Sequence, residues 1–390
     1  VNPGKTSSAT VHAVGVAAGS AAAGTMGAAL LIGNGATVNI TGTGGDQIHD
    51  QSSVVVRTGG ILNLGGGSAT GESFDSLAGG GTVTNTGLTG TFTLTLGAGN
   101  NVNVSAYSLA AASAGVASTG LNHFSGSISD GSSTQIVALT KIGSGTQILA
   151  GVNTYSGDTT ISAGTLQMGA ANVLPSGTGR GNVNISGDNY GASVINGGTA
   201  IGNANRILAL GTLDMGGYDQ SINGLNSSTG GTVVNNPTLA WNGSAWVASN
   251  VTSTLTLGNG DANGSFNGSL MNGYTVAPGG AGATAHVGVL SLTKVGTGTQ
   301  ILSGTNSYTG VTTVSAGTLQ FQQQTAFYNN TPSQWTANNL VVQAGAVAAF
   351  NVGGAGEFTA ANIAAIQPLG SATGGFQAGS SIGLDTSNAA

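Results

Sequence analysis

A chain of 390 residues is long enough to bury a sizeable core, yet only 5% of it is charged, and 71 residues are glycine against six prolines. The glycines keep no three-residue period, which excludes collagen. Six lysines and arginines against twelve acids leave no basic face to track a phosphate backbone, which argues against nucleic acid as a partner. Cysteine is absent, so disulfides, thiolate metal sites and cysteine nucleophiles are excluded together.

Taken in chain order, residues 1–33 form a small-residue N-terminal arm or first coil. No run in them is apolar and long enough to predict a transmembrane segment. Val11, Val14, Val16, Leu30 and Leu31 are among the larger apolar side chains of this arm and are its expected assembly contacts. Two super-repeats follow, 34–170 and 171–321. GGILNLGG from Gly59 is answered by GTLDMGG from Gly211, TLTLG from Thr93 by TLTLG from Thr254, and HFSGSISDG from His123 by SFNGSLMNG from Ser265. Residues 322–390 read as a partial third super-repeat or C-terminal segment, in which TPSQWTANN from Thr331 and FTAANIAAI from Phe358 predict single helical turns.

Each super-repeat runs into nearly the same line. Residues 139–167 read LTKIGSGTQILAGVNTYSGDTTISAGTLQ and residues 292–320 read LTKVGTGTQILSGTNSYTGVTTVSAGTLQ, identical at 21 of 29 positions. The one exchange that alters charge sets Asp158 against Val311. Within this line Thr146 to Leu149, Thr159 to Ser162 and Thr165 to Met168 are β-prone runs ended by glycine turns. Stacked as coils about 4.8 Å apart they make an elongated β-solenoid. At roughly 20 to 25 residues per coil the rod would be on the order of 70 to 90 Å long. The competing arrangement is a hairpin meander, because the eight Asn-Gly pairs, Asn34-Gly35 and Asn223-Gly224 among them, suit type I′ turns.

The line LTKxGxGTQIL(A/S)GxNxYxGxTTxSAGTLQ resembles the passenger-associated transport repeat, the autotransporter-associated β-strand repeat of bacterial surface proteins. The resemblance implies an all-β, right-handed parallel β-helix displayed at the surface of a Gram-negative type bacterium or released outside it. It implies no activity, because such passengers include adhesins, enzymes and inert stalks.

Candidate sites are sparse. Asp46, His49 and Asp50 in GTGGDQIHDQ form the tightest ionisable cluster, but a single copy lacks the iterated pattern of calcium-binding turns and reads as a polar turn before a strand. His12, His123 and His286 stand apart. Arg57, Arg180 and Arg206 are scattered, and Asp214 and Asp219 are a carboxylate pair only by default. No catalytic, metal or cofactor site is expected, and a non-enzymatic structural role follows, with head-to-tail self-association into filaments as one expectation. The alternative is an adhesin that binds cell-surface or matrix polysaccharide. Tyr155, Tyr308 and Trp335 are then the expected glycan contacts, while Lys141 and Lys294 are expected to guard an exposed sheet face.

Overall fold

The computed structural model describes residues 8–11, 30–41, 47–65, 71–87, 89–98, 122–186, 210–227, 229–241, 245–249, 251–276, 285–370 and 373–389. The protein is all-β, and its sheets are largely parallel. One sheet runs, in both chain order and spatial order, through Ser8–Val11, Thr37–Ile40, Ile61–Asn63, Thr82–Asn85 and Ser127–Asp130. A second runs from Gly71–Phe74 through Gly90–Leu96, Gln135–Lys141, Thr159–Ile161 and Val183–Ile185 to Leu225–Asn226. A third joins Gly264–Phe266, Thr299–Leu302, Thr318–Phe321, Val347–Asn351 and Ser381–Asp385.

The competing hairpin meander is not what the described residues form. Asn34-Gly35 lies between strands of two different sheets, with Gly35 at a positive φ of 72°. Asn223-Gly224 likewise sits at a corner, between Gln220–Ser221 and Leu225–Asn226. Two antiparallel exceptions stand out. Thr238–Trp241 pairs with Trp246–Ser249, and residues 273–276 pair with 285–288.

Both LTK lines adopt one register. Leu139 and Lys141 face Thr159 and Ile161, as Leu292 and Lys294 face Thr312 and Val314, while Thr146 faces Thr165 as Thr299 faces Thr318. Successive side chains of a strand point to opposite faces. Thr146–Leu149 accordingly alternates half-buried Thr146 and Ile148 with buried Gln147 and Leu149, Thr165–Met168 alternates half-buried Thr165 and Gln167 with buried Leu166 and Met168, and the second copy repeats both patterns. Leu149, Leu166, Met168, Leu302, Leu319 and Phe321 thereby join one continuous apolar core, each contributing about 1.5 to 3 kcal/mol by leaving water. The return to the same sheet is not constant in length. Thr165 pairs next with Thr212, so the expected 20 to 25 residues per coil describes only part of the chain.

The two predicted helical turns are present as a 3-10 turn, Pro332–Gln334, and a short helix, Ala360–Ile366, capped by reciprocal bonds between Thr359 and Asn362. Among the described residues no helix is long and apolar enough to cross a membrane.

Candidate functional site

The lysine, glutamine, asparagine and tyrosine that recur between the two lines are inside the molecule. Lys141 is fully buried and its Nζ donates to the carbonyls of Ile142 at 2.5 Å and Gly143 at 3.3 Å. Lys294 repeats this with Val295 at 2.6 Å, Gly296 at 3.0 Å and, from another turn of chain, Ala316 at 3.3 Å. Glycine makes room for the ammonium: a Cβ at Gly97, whose φ is 101°, would lie 3.0 Å from the Lys141 Nζ, and one at Gly258, whose φ is 90°, 3.0 Å from the Lys294 Nζ. Burial pulls both lysines down to about 8, opposed by the Asp75 carboxylate for Lys141 and by Asp261 for Lys294. The expected exposed lysines are thus corner posts holding main-chain carbonyls.

Gln147 and Gln300 pair with the edges of two sheets, through Leu77 and Leu225 respectively. Asn153 accepts from Ile128 N at 2.8 Å and donates to Val173 O at 3.0 Å, and Asn306 accepts from Leu270 N at 2.9 Å and donates to Ala326 O at 2.9 Å. Each asparagine clamps the segments on either side of its own.

The expected glycan contacts are buried too. Tyr155, Tyr308 and Trp335 are 0%, 1% and 5% exposed, which leaves no ring face for a sugar and corrects their assignment as surface contacts. The Tyr155 hydroxyl meets Thr159 Oγ1 at 2.6 Å and that of Tyr308 meets Thr312 Oγ1 at 2.7 Å, and Trp335 packs on Phe327. Burial raises both tyrosines well above their ordinary range. The arm fares differently from expectation as well: Ser8–Val11 pairs with the chain's own Thr37–Ile40, so Val11 lies in an intramolecular ladder. Leu30 is half-buried against the core and Leu31 is 48% exposed, while Val14 and Val16 lie outside the described residues.

Of the ionisable candidates, Asp46, His12 and Arg206 lie outside the described residues, and among the described residues no group of three or more potential metal ligands is assembled. His123 is half-buried, and burial lowers its pKa. Asp214 receives Gln167, Gly216 and Asn236, and Asp219 accepts from Thr254 N at 2.7 Å. These are ladder and corner bonds, not a free carboxylate pair.

One corner forms an open cleft. A cleft of about 420 Å³ is lined by Asp130, Arg180 and the hydroxyl residues Ser132, Ser133, Thr154, Ser156 and Thr178. Arg180 Nη1 stands 3.9 Å from Asp130 Oδ2 and also donates to Thr154 O, while Asp130 Oδ1 accepts from Val137 N at 2.7 Å. No sequence signal marks this group, because its members come from separate segments of the chain. In the second copy the same corner carries the two antiparallel hairpins, with Tyr274, Val247 and Val287 exposed by 69%, 44% and 55%.

The family model of the passenger-associated-transport-repeat matches residues 139–168 and 292–321. The chain carries two passenger-associated transport repeats. It is also 31% identical over 239 residues to the adhesin BmaC autotransporter of Brucella suis biovar 1 (strain 1330), a match that covers 48% of this chain and 7% of that relative. No solved structure matches the chain.

The two repeats share their buried corner lysine, glutamine, asparagine and tyrosine, so these positions serve the fold. The one exchange that alters charge lies two residues beyond Ser156, which lines the cleft. Asp158 of the first repeat, which holds Asn182 N at 2.8 Å and Asn184 Nδ2 at 3.1 Å, is replaced by the exposed Val311. Just upstream, Asp130 is matched by Asn272, which keeps the same bond, accepting from Leu290 N at 3.0 Å, without the charge.

Proposed function

We propose that the chain is a non-enzymatic extracellular structural protein: a right-handed β-solenoid forming part of the passenger of a surface protein of a Gram-negative type bacterium. Its proposed organisation is an N-terminal arm or first coil, residues 1–33, two solenoid super-repeats, 34–170 and 171–321, and a partial third super-repeat or C-terminal segment, 322–390. The observation that carries this proposal is the pair of transport repeats whose shared polar residues are consumed in holding main chain to main chain. A stalk needs such bonds and needs no reactive group. Electron microscopy of the purified chain tests it: straight, unbranched rods support the solenoid, and globular particles contradict it.

An adhesive role is the second proposal, favoured by the likeness to a protein named as an adhesin. It predicts saturable attachment to cell-surface or matrix polysaccharide. Head-to-tail assembly into filaments is a further element of the scaffold proposal, and the engagement of Ser8–Val11 with the chain's own sheet weighs against an arm that reaches another molecule. Sedimentation of the intact chain over a wide concentration range decides it, since a constant monomeric mass rules out filaments.

A further inference from the structure

We propose that the cleft between Asp130 and Arg180 binds an uncharged carbohydrate of one or two sugar units. The proposal rests on the adhesive role and gives it a site.

Three observations carry it. First, the pair is poised and not closed. At 3.9 Å, Arg180 Nη1 and Asp130 Oδ2 are too far apart for a hydrogen bond, while Asp130 is anchored through its other oxygen by Val137 N, and Arg180 through Thr154 O. A hydroxyl group both donates and accepts, so a sugar hydroxyl can accept from the guanidinium and donate to the carboxylate at once. Secondly, the charges cancel. A uronate, sulfate or phosphate group would face the Asp130 carboxylate, and a cation would face the Arg180 guanidinium, which selects a neutral polyol. Thirdly, apart from Gly131 and Gly179 the rest of the lining is hydroxyl-bearing, from Ser132, Ser133, Thr154, Ser156 and Thr178, in a cleft of about 420 Å³. That volume lies at the small end of ligand sites, which span about 300 to 1,000 Å³.

The comparison of the two repeats supports the same conclusion. A duplicated scaffold preserves what folding requires, and Asn272 shows that the strand bond made by Asp130 needs no carboxylate. The charge at Asp130 is therefore surplus to the fold. The lining holds no aromatic residue, so recognition is through hydrogen bonds and the site binds weakly.

Saturation-transfer NMR on the full chain, with glucose, galactose, mannose, N-acetylglucosamine, maltose, lactose and cellobiose as neutral probes and glucuronate and heparin as charged ones, tests the proposal. At least one neutral probe should bind, and Arg180→Gln and Asp130→Asn should each weaken it by about tenfold or more, the loss expected of a charged hydrogen-bond partner. Far-UV circular dichroism establishes that each variant keeps its strands. Binding by the charged probes alone, or by no probe, overturns the cleft. Neutral binding that both variants retain also overturns it while leaving the adhesive role standing elsewhere on the chain. If the intact protein attaches to no polysaccharide-coated surface either, the adhesive role fails as well.

Discussion

The side chain of Gln147 pairs with the backbone of Leu77 as a strand would. Leu77 N donates to Gln147 Oε1 at 3.1 Å and Gln147 Nε2 donates back to Leu77 O at 2.8 Å. Leu77 belongs to Ser76–Ala78, the outer strand of a three-stranded sheet, which is satisfied on its other side by Ser53–Val56. Gln300 does the same for Leu225, with bonds of 3.1 and 2.9 Å, at the last strand of the six-stranded sheet. Each glutamine closes a buried sheet edge.

Replacing Gln147 by leucine keeps the bulk but strands the Leu77 N–H and C=O. The expected loss is about 2 to 4 kcal/mol by denaturant unfolding. Gln300→Leu should cost a similar amount, and the Leu77 amide should exchange faster with deuterium only in the Gln147 variant. Equal exchange in both would mean that the pairing is incidental.

Stability should vary with alkaline pH in two directions. Both buried lysines have folded pKa values near 8, below the ordinary 10.5. Below pH 8 they are charged in folded and unfolded chains alike. Between about 8 and 10.5 the folded chain sheds protons that the unfolded chain keeps, so stability rises with pH. Above pH 10 the unfolded tyrosines ionise, while Tyr155 and Tyr308 stay protonated in the folded chain, and stability falls. Urea titrations from pH 7 to 11 should show a maximum near 10, and Lys141→Met with Lys294→Met should abolish the rising limb.

Gly97 and Gly90 have similar positive φ, 101° and 108°, in different surroundings. A Cβ at Gly97 would lie 2.0 Å from the Ile142 carbonyl, whereas one at Gly90 meets nothing within 4 Å. Gly90→Ala should cost about 1 kcal/mol from backbone strain alone, and Gly97→Ala about 3 kcal/mol or more, because the corner around Lys141 must move. Comparable thermal shifts for the two variants would show that the corner yields easily.

Tyr155→Phe removes only the hydroxyl bond to Thr159 Oγ1 and should cost about 1 kcal/mol with no effect on carbohydrate binding. Reduced binding with unchanged stability would return the ring to the surface role first expected of it.

The strands of the LTK line and the two short helical turns were legible in the sequence, because β-branched alternation, glycine spacing and capping residues are local signals. What the recurring Lys141, Gln147 and Tyr155 do was not legible. Recurrence marks a position as necessary without saying which way its side chain faces, and the partners lie far along the chain, as Leu77 lies 70 positions from Gln147. Asn-Gly left a competing arrangement open for a similar reason: the pair specifies a turn, and only the sheets on either side decide whether the turn closes a hairpin or rounds a corner. The cleft was invisible because Asp130, Thr154 and Arg180 meet only through stacking.

The central claim is that the strands stack in parallel, coil on coil. Ser73, Thr95, Thr140, Thr160, Asn184 and Asn226 form one half-buried column of paired positions. The chain has no cysteine, so paired cysteines in this column can be spin-labelled without background. Electron-electron distances from position 73 should grow in even steps of about 4.8 Å per strand, with backbone separations reaching roughly 14 Å at position 160 and roughly 24 Å at position 226. Distances that fail to increase in that order would contradict the stacked fold and the stalk built on it.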